Sequence, residues 1–383
     1  MPRPPCRPFP RGRVLAGLLA LALAALPLRA QAPFEPALRS DGWARETPEA
    51  AGFDGDRLQA ELAQLMDGRL NLHGVVVARQ GRLVAEAYRR GPDHPQFTLF
   101  RRTVTFGPEV AHDTRSVGKT VIALLVGVAQ AQGRLGSLDT PVLDFFPELA
   151  GRVPPARRRI TLAHLLGMST GLRWREAGVG FPNDEDRLAW KASPVAFLLG
   201  REAVAEPGTT FTYCSGATVA LAKVLTRVMG RPWTEVARTE LFQPLGITDV
   251  TWVTDLRGRP MPNSGLRLRP RDLAKLGRLL LEGGRWEGRP LVPAAWIEAL
   301  GRPRLPTGFE GTRYGLHLWT GTVRWQDRDL PWQAAFGNGG QRVYVVPALD
   351  LTVVTTGGAY GDLATARALQ GAFQRLVACV RRP

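Results

Sequence analysis

The sequence predicts an α/β (α+β) chain in which an antiparallel β-sheet flanked by helices carries an inserted all-helical segment. Three observations predict it. Strand, turn, strand patterns lie near both ends of the chain, the stretch from about residue 115 to 300 is mostly helical in period, and a further helical stretch closes the sequence.

The elements follow in order. Arg3, Arg7, Arg11 and Arg13 precede an apolar run from Val14 to Leu28 that ends in Leu28-Arg29-Ala30-Gln31-Ala32. This is the pattern of a secretory signal peptide over residues 1–30, with cleavage after Ala30 preferred to cleavage after Ala32, where Pro33 would follow the scissile bond. The alternative, an uncleaved anchor, needs roughly 20 apolar residues, more than this run offers. Residues 74–79 and 82–88 read as two strands joined at Gln80-Gly81. Val117 to Gln132 is apolar nearly all round and closed by Gly133, the pattern of a buried central helix. Helical spacing recurs over Ser215 to Val228, ending at Gly230, and over Pro270 to Glu282, ending at Gly283-Gly284. Residues 342–346 and 351–356 repeat the strand pattern around Pro347 to Asp350, and a helix is expected from Leu363 to Val380. The expected organisation is a leader over 1–30 and one domain over 31–383. Its sheet part covers about 45–110 and 311–383, and its helical part about 111–310.

Charge and cysteine content narrow the function classes. The chain has 383 residues and a net charge of +16, which falls to about +11 when the five arginines of the leader are removed. Such a charge could favour polyanions, but the arginines are scattered, Arg157-Arg158-Arg159 is the dense run, and no nucleic-acid module is recognisable. Cys6 falls within the leader; Cys214 and Cys379 remain, too few for a disulfide framework. His73, His94, His112, His164 and His317 show no metal-ligand spacing, so neither a metal nor another cofactor is expected. No later stretch is long and apolar enough to span a bilayer.

Chemistry is suggested by Arg115-Ser116-Val117-Gly118-Lys119-Thr120. Lysine is otherwise scarce, confined to Lys191, Lys223 and Lys275. Arginine cannot give up its proton in a protein, whereas a lysine amine can. If Ser116 opens the central helix, Lys119 lies one turn on along the same face. The helix N-terminus and burial beside Val117, Val121 and Ile122 would both disfavour an ammonium, leaving Lys119 neutral enough to take a proton from Ser116.

With Tyr213-Cys214-Ser215 and Asn338-Gly339-Gly340-Gln341 in order behind Ser116-Val117-Gly118-Lys119, the chain resembles the penicillin-recognising serine hydrolases. That superfamily holds the serine β-lactamases, D-alanyl-D-alanine peptidases and related esterases and amide hydrolases. The likeness runs over roughly residues 45 to 375 and includes the stretches Ile160 to Leu166 and Pro207-Gly208-Thr209. It implies a β-lactamase/transpeptidase-like fold, Ser116 as nucleophile, Lys119 as its base and Tyr213 as proton shuttle. It further implies an oxyanion site from the backbone N–H groups of Ser116 and Gln341, with Gly339 and Gly340 admitting substrate, and Asn338 and Ser215 beside it. Two residues depart from the family pattern: Ser215 stands where β-lactamases usually have asparagine, and Asn338 where a lysine or histidine usually meets a substrate carboxylate. The implied protein is an exported periplasmic or secreted esterase or amidase, acting on a small-molecule or short-peptide acyl substrate and resembling aminohexanoate-oligomer hydrolases. The alternatives are a β-lactamase or D-alanyl-D-alanine carboxypeptidase, and a non-catalytic binding protein that keeps the fold; oligomeric state is left open.

Plainer readings stand beside these. Ser116 could cap a helix, Tyr213 could be a core aromatic, Ser215 could cap its own helix, Asn338-Gly339-Gly340 could be an ordinary turn, and Cys214 reads as a small buried residue. Gly167-Met168-Ser169-Thr170-Gly171 matches a nucleophile elbow, with His317 as a conceivable base, but no strand precedes it, and a structural loop is expected. Trp174, Phe181, Trp190 and Trp332 are candidates to line an apolar acyl pocket, though core packing is the preferred reading for each.

Overall fold

A computed structural model describes residues 1–2, 34–176, 182–309 and 311–382. The leader expected over residues 1–30, apart from its first two residues, and Phe181 lie outside the described residues. Residues 1–32 and 33–383 form two separate units, and every strand and helix of the fold belongs to the second.

Its centre is a nine-stranded sheet. The strands are β1 (Ala44–Arg45), β2 (Leu72–Arg79), β3 (Arg82–Tyr88), β4 (Leu305–Pro306), β5 (Thr312–Tyr314), β6 (Trp319–Trp325), β7 (Arg328–Gly337), β8 (Gln341–Val346) and β9 (Leu351–Gly357). Their order is β1-β3-β2-β9-β8-β7-β6-β5-β4. Both ends of the chain therefore meet in one sheet, with β2 antiparallel to β9 and Val76 opposite Val354. All pairings are antiparallel except that of the two-residue β1, which runs parallel to β3. Every residue of β2, β8 and β9 is buried, because helices cover both faces, and their valine runs suit strands packed on two sides. Gln80 and Gly81 both have positive φ, 50° and 69°. Such a two-residue turn matches the right-handed twist of β2 and β3.

Five helices frame the site: α1 (Gly55–Leu65), α2 (Val117–Ala131), α3 (Ser215–Met229), α4 (Pro270–Leu281) and α5 (Leu363–Val377). Helix α4 packs on β2, β8 and β9. A Cβ on its Gly277 would lie 2.5 Å from Thr352, so glycine permits that close approach. On the opposite face α5 stacks Phe373 on Tyr344 of β8, with ring centroids 3.9 Å apart, and α1 packs beside it. Helix α2 is the buried central helix the sequence predicts, lying against α3 and β7. The longer helices end within three residues of the expected bounds. The sequence pattern did not single out β1 or the four strands β4 to β7.

Candidate active site

Ser116 begins α2 in a helical conformation, with φ −65° and ψ −1°, and its side chain makes no capping hydrogen bond. The hydroxyl is thus not spent on the helix end, as the plainer reading required. Arg115, just before it, has φ 52°, a left-handed conformation that costs a non-glycine residue energy. Lys119 is 1% exposed. Its Nζ donates to Ser116 Oγ at 2.8 Å and to the carbonyl of Asn263 at 2.9 Å. Gly118 between them is required for packing: a Cβ there would lie 2.7 Å from the carbonyl oxygen of Pro262.

Tyr213 ends the segment leading into α3. Its ring lies beside the pair, with the Lys119 Nζ 4.9 Å from its centroid, and its phenol is electrostatically linked to Ser116 and Lys119. Trp319, Tyr314 and Phe211 surround the ring, at centroid distances of 5.8, 6.2 and 6.4 Å. The structure therefore brings Ser116, Lys119 and Tyr213 together.

Ser215 lies elsewhere than expected. It is fully buried, and its Oγ donates to Glu176 and stands 3.1 Å from Glu185 Oε1. Its backbone N–H donates to Glu176 Oε2 at 3.2 Å, and Trp174 Nε1 donates to the same carboxylate. Asn263 Nδ2 donates to Glu185 Oε1 at 3.1 Å. A half-buried acid pair at the cleft wall thus stands beside the lysine, a feature that sequence reasoning missed. Glu176, Glu185 and Asn263 come from stretches without marked periodicity, and no local spacing singled them out.

These acids change the protonation expected of the site. Burial works against the Lys119 ammonium, but Tyr213, Glu176 and Glu185 together outweigh it and hold the amine above its ordinary value. The expectation of a lysine made neutral by burial and the helix end is therefore corrected: both hydrogen bonds at Nζ suit an ammonium donor. Burial likewise raises the Tyr213 phenol, and neighbouring Lys119 only partly offsets it. Glu176 is pushed up to about 8, first by burial and then by the charge of Glu185.

Asn338, Gly339 and Gly340 form the turn between β7 and β8. Gly339 and Gly340 have φ of 92° and 98°, which glycine adopts without strain. Asn338 is exposed, and its Oδ1 accepts the N–H of Gly361 at 2.8 Å. Gln341 turns its side chain away, donating from Nε2 to the carbonyls of Gly357 at 2.6 Å and Asn338 at 3.1 Å. Gln341 is fully buried and is not among the residues lining the cleft, so its side chain takes no part there. The buried Arg342 clamps the turn by donating to the carbonyls of Gly337 and Gln341, each at 2.8 Å. A Cβ on Gly337 would lie 2.2 Å from the carbonyl oxygen of Thr114, so glycine lets this turn approach the start of α2.

Ser116, Tyr213, Glu176 and Asn338 to Gly340 line one cleft of about 1940 Å³. Its aromatic lining includes Trp319, Phe336, Phe309 and Trp233. The candidates Trp174, Trp190 and Trp332 do not line it, and core packing, the preferred reading, holds for Trp174 and Trp332. Trp174 and Trp332 are buried in the core, where Trp332 Nε1 donates to the carbonyl of Thr322 at 3.0 Å, and Trp190 is 38% exposed. The nucleophile-elbow reading also fails. Ser169 is buried in a loop, and His317 is held by Leu166 and Thr218 with its pKa pushed down to about 3, chiefly by burial. Cys214 and Cys379 are free and buried. No helix among the described residues is long and apolar enough to cross a membrane.

A mostly antiparallel sheet with a Ser-x-x-Lys pair at the head of a buried helix and a tyrosine facing both defines a protein of the β-lactamase/transpeptidase fold. The family model described as Beta-lactamase matches residues 58–369. The chain belongs to that family. It is 28% identical over 280 residues to 6-aminohexanoate-dimer hydrolase of Paenarthrobacter ureafaciens, covering 70% of this chain and 63% of that protein. It is 30% identical over 194 residues to lovastatin esterase of Penicillium rubens, covering 43% and 45%. The chain thus spans less than two thirds of the length of these curated relatives. Among solved structures, a proposed 6-aminohexanoate-dimer hydrolase from Bacillus anthracis superposes with a TM-score of 0.70 at 19% identity, over 88% of this chain and 87% of that one. A class C β-lactamase does so with a TM-score of 0.63 at 14% identity, over 86% and 96%. At these identities the superpositions show the fold alone.

Proposed function

We propose that the protein is an exported serine hydrolase that cleaves an ester or amide through an acyl-enzyme on Ser116. The observation that carries this reading is the Lys119 Nζ at 2.8 Å from Ser116 Oγ, with the Tyr213 ring 4.9 Å from the same Nζ. Lys119, in its unprotonated fraction, takes the hydroxyl proton as Oγ bonds to the acyl carbon. The backbone N–H groups of Ser116 and Gln341 hold the resulting oxyanion, Ser116 at the positive end of α2. Tyr213 relays the proton from the Lys119 ammonium to the departing nitrogen or oxygen as its bond to carbon breaks. Water then gives up a proton along the same route, attacks the acyl carbon and releases the acid, and the proton returns to Ser116.

Asn338 supplies no positive charge beside the third box, and Arg342, which lines the same cleft, engages its Nη1 with the Gly337 and Gln341 carbonyls; this supports neutral esters or linear amides as substrates over penicillins or D-alanyl peptides. The names of the two curated relatives, an amide-dimer hydrolase and an esterase, support the same class. Export rests on the leader at residues 1–30, and an N-terminus of Gln31 on protein recovered outside the cytoplasm would establish it. The catalytic reading is tested by p-nitrophenyl butyrate hydrolysis with the mature protein and folded Ser116→Ala and Ser169→Ala variants. Loss with Ser116→Ala alone is the expected result, and loss with Ser169→Ala alone would overturn the assignment.

A further inference from the structure

His73 on β2, His112 four residues before Ser116, and Asp93 at the end of the short strand Arg90–Asp93 meet in the interior and serve no step of the proposed reaction. They are 0%, 1% and 4% exposed. One ligand-type atom from each lies within 4.8 Å of the other two. The three are far apart in sequence, which is why histidine spacing gave no metal pattern.

The two rings meet through their inner nitrogens. His73 Nδ1 faces His112 Nε2 at 2.8 Å. The outer nitrogens both face acceptors. His73 Nε2 stands 3.1 Å from the Pro92 carbonyl and 3.3 Å from Asn71 Oδ1, while His112 Nδ1 stands 3.1 Å from the Asp113 carbonyl. Asn71 is oriented by donating from Nδ2 to Pro92 O at 3.0 Å, which turns its oxygen toward the ring. A neutral imidazole has one N–H. If both rings spend it on the outer carbonyls, two lone pairs confront each other at hydrogen-bond distance.

We propose that His73 Nδ1, His112 Nε2 and the Asp93 carboxylate form a structural site for a divalent cation of the zinc class. Two imidazole nitrogens and one carboxylate are a zinc-type donor set, and outer N–H groups fixed by backbone carbonyls are the usual support of metal-binding histidines. With Zn–N of about 2.0–2.1 Å, a tetrahedral pair of nitrogens stands roughly 3.3 Å apart, so the rings need part by only about half an ångström. Binding requires the tautomer in which each ring carries its one N–H on the outer nitrogen, so that both inner nitrogens present lone pairs. The carboxylate is in turn held by Tyr360, whose hydroxyl donates to Asp93 Oδ1 at 2.8 Å. The Arg115 guanidinium lies 4.2 Å from the Tyr360 ring centroid. The cation would therefore tie β2 to the strained residue that precedes Ser116.

The test uses tag-free mature protein, stripped with chelator, equilibrated with zinc and passed through a desalting column before metal analysis. One zinc per chain and a zinc-dependent rise in melting temperature are expected, with both lost in His73→Gln and in Asp93→Asn. A wild type that retains well below one zinc per chain would overturn the proposal, leaving the rings joined by a shared proton. Retention of one zinc in both variants would overturn it equally, because the ion would then sit elsewhere. The wild-type measurement does not depend on the variants folding or on any hydrolytic activity.

Discussion

Ser215 gives its hydroxyl to Glu176, so the buried last residue of the Tyr-x-Ser box meets the cleft only through an acid that lines it. That acid is close enough to Lys119 to bias its charge. As pH rises through about 8, Glu176 loses its proton and the added negative charge holds the ammonium more firmly. The kcat/KM profile of the wild type should show an inflection near pH 8 that Glu176→Gln lacks. Superimposable profiles between pH 6 and 10 would remove Glu176 from the response.

Because the folded site holds the Lys119 amine above its ordinary value, its base form is a minor species at neutral pH. Acylation should keep rising with pH through the alkaline range, and Glu185→Gln should shift that rise to lower pH. Lys119→Ala should cut acylation by about 10²–10⁴-fold while the circular dichroism spectrum is preserved. Unchanged acylation in that variant would sink the assigned role.

Asn338 offers no charge where the third box meets the cleft. Asn338→Lys should raise the rate of acylation by carboxylate-bearing β-lactams, read with a fluorescent penicillin. An unaltered rate would mean that this position does not set carboxylate preference.

Arg271 on α4 bonds both oxygens of Glu86 on β3, at 2.6 and 2.7 Å, and both residues are buried. Its other guanidinium nitrogen donates to Asp41 Oδ2 at 2.8 Å. Removing one partner strands the other charge, so Glu86→Ala should cost about 3–5 kcal/mol in denaturant unfolding. A loss below about 1 kcal/mol would show that the remaining Asp41 contact suffices.

His317 is buried as a neutral ring, Nδ1 donating to the Leu166 carbonyl and Nε2 accepting from Thr218, each at 2.9 Å. Its folded pKa, pushed down to about 3, lies below the ordinary 6.5. The unfolded chain therefore binds a proton first, and this contribution to stability, complete above pH 6.5, is lost as pH falls toward 3. Stability measured from pH 7 to 4 should fall less steeply in His317→Gln, and parallel slopes would contradict the assignment.

Periodic features were the legible ones. The valine runs of β2 and β9, the apolar span of α2 and the leucines of α4 marked these elements because each pattern is local and strong. Ser116 and Lys119 were legible because one helical turn suffices to pair them, whereas Glu176, Glu185 and Asn263 are assembled from separate stretches only by the fold. Trp332 is in the core, the reading preferred from sequence, but its partner was not legible there: it packs where Gly321 leaves room, a Cβ there being 2.4 Å from its ring. The lysine's charge was misjudged for the same reason, since burial was foreseeable but the acids beneath it were not.

Strand β2 waits for β9 across most of the chain, with Val75 finally opposite Thr355. Closing so long a loop comes late, and until residues 351–357 emerge one edge of β2 stays open and apolar. A nascent or translocating chain is thereby kept from finishing its sheet, and premature termination anywhere before β9 leaves a sticky edge in place of a smaller working enzyme.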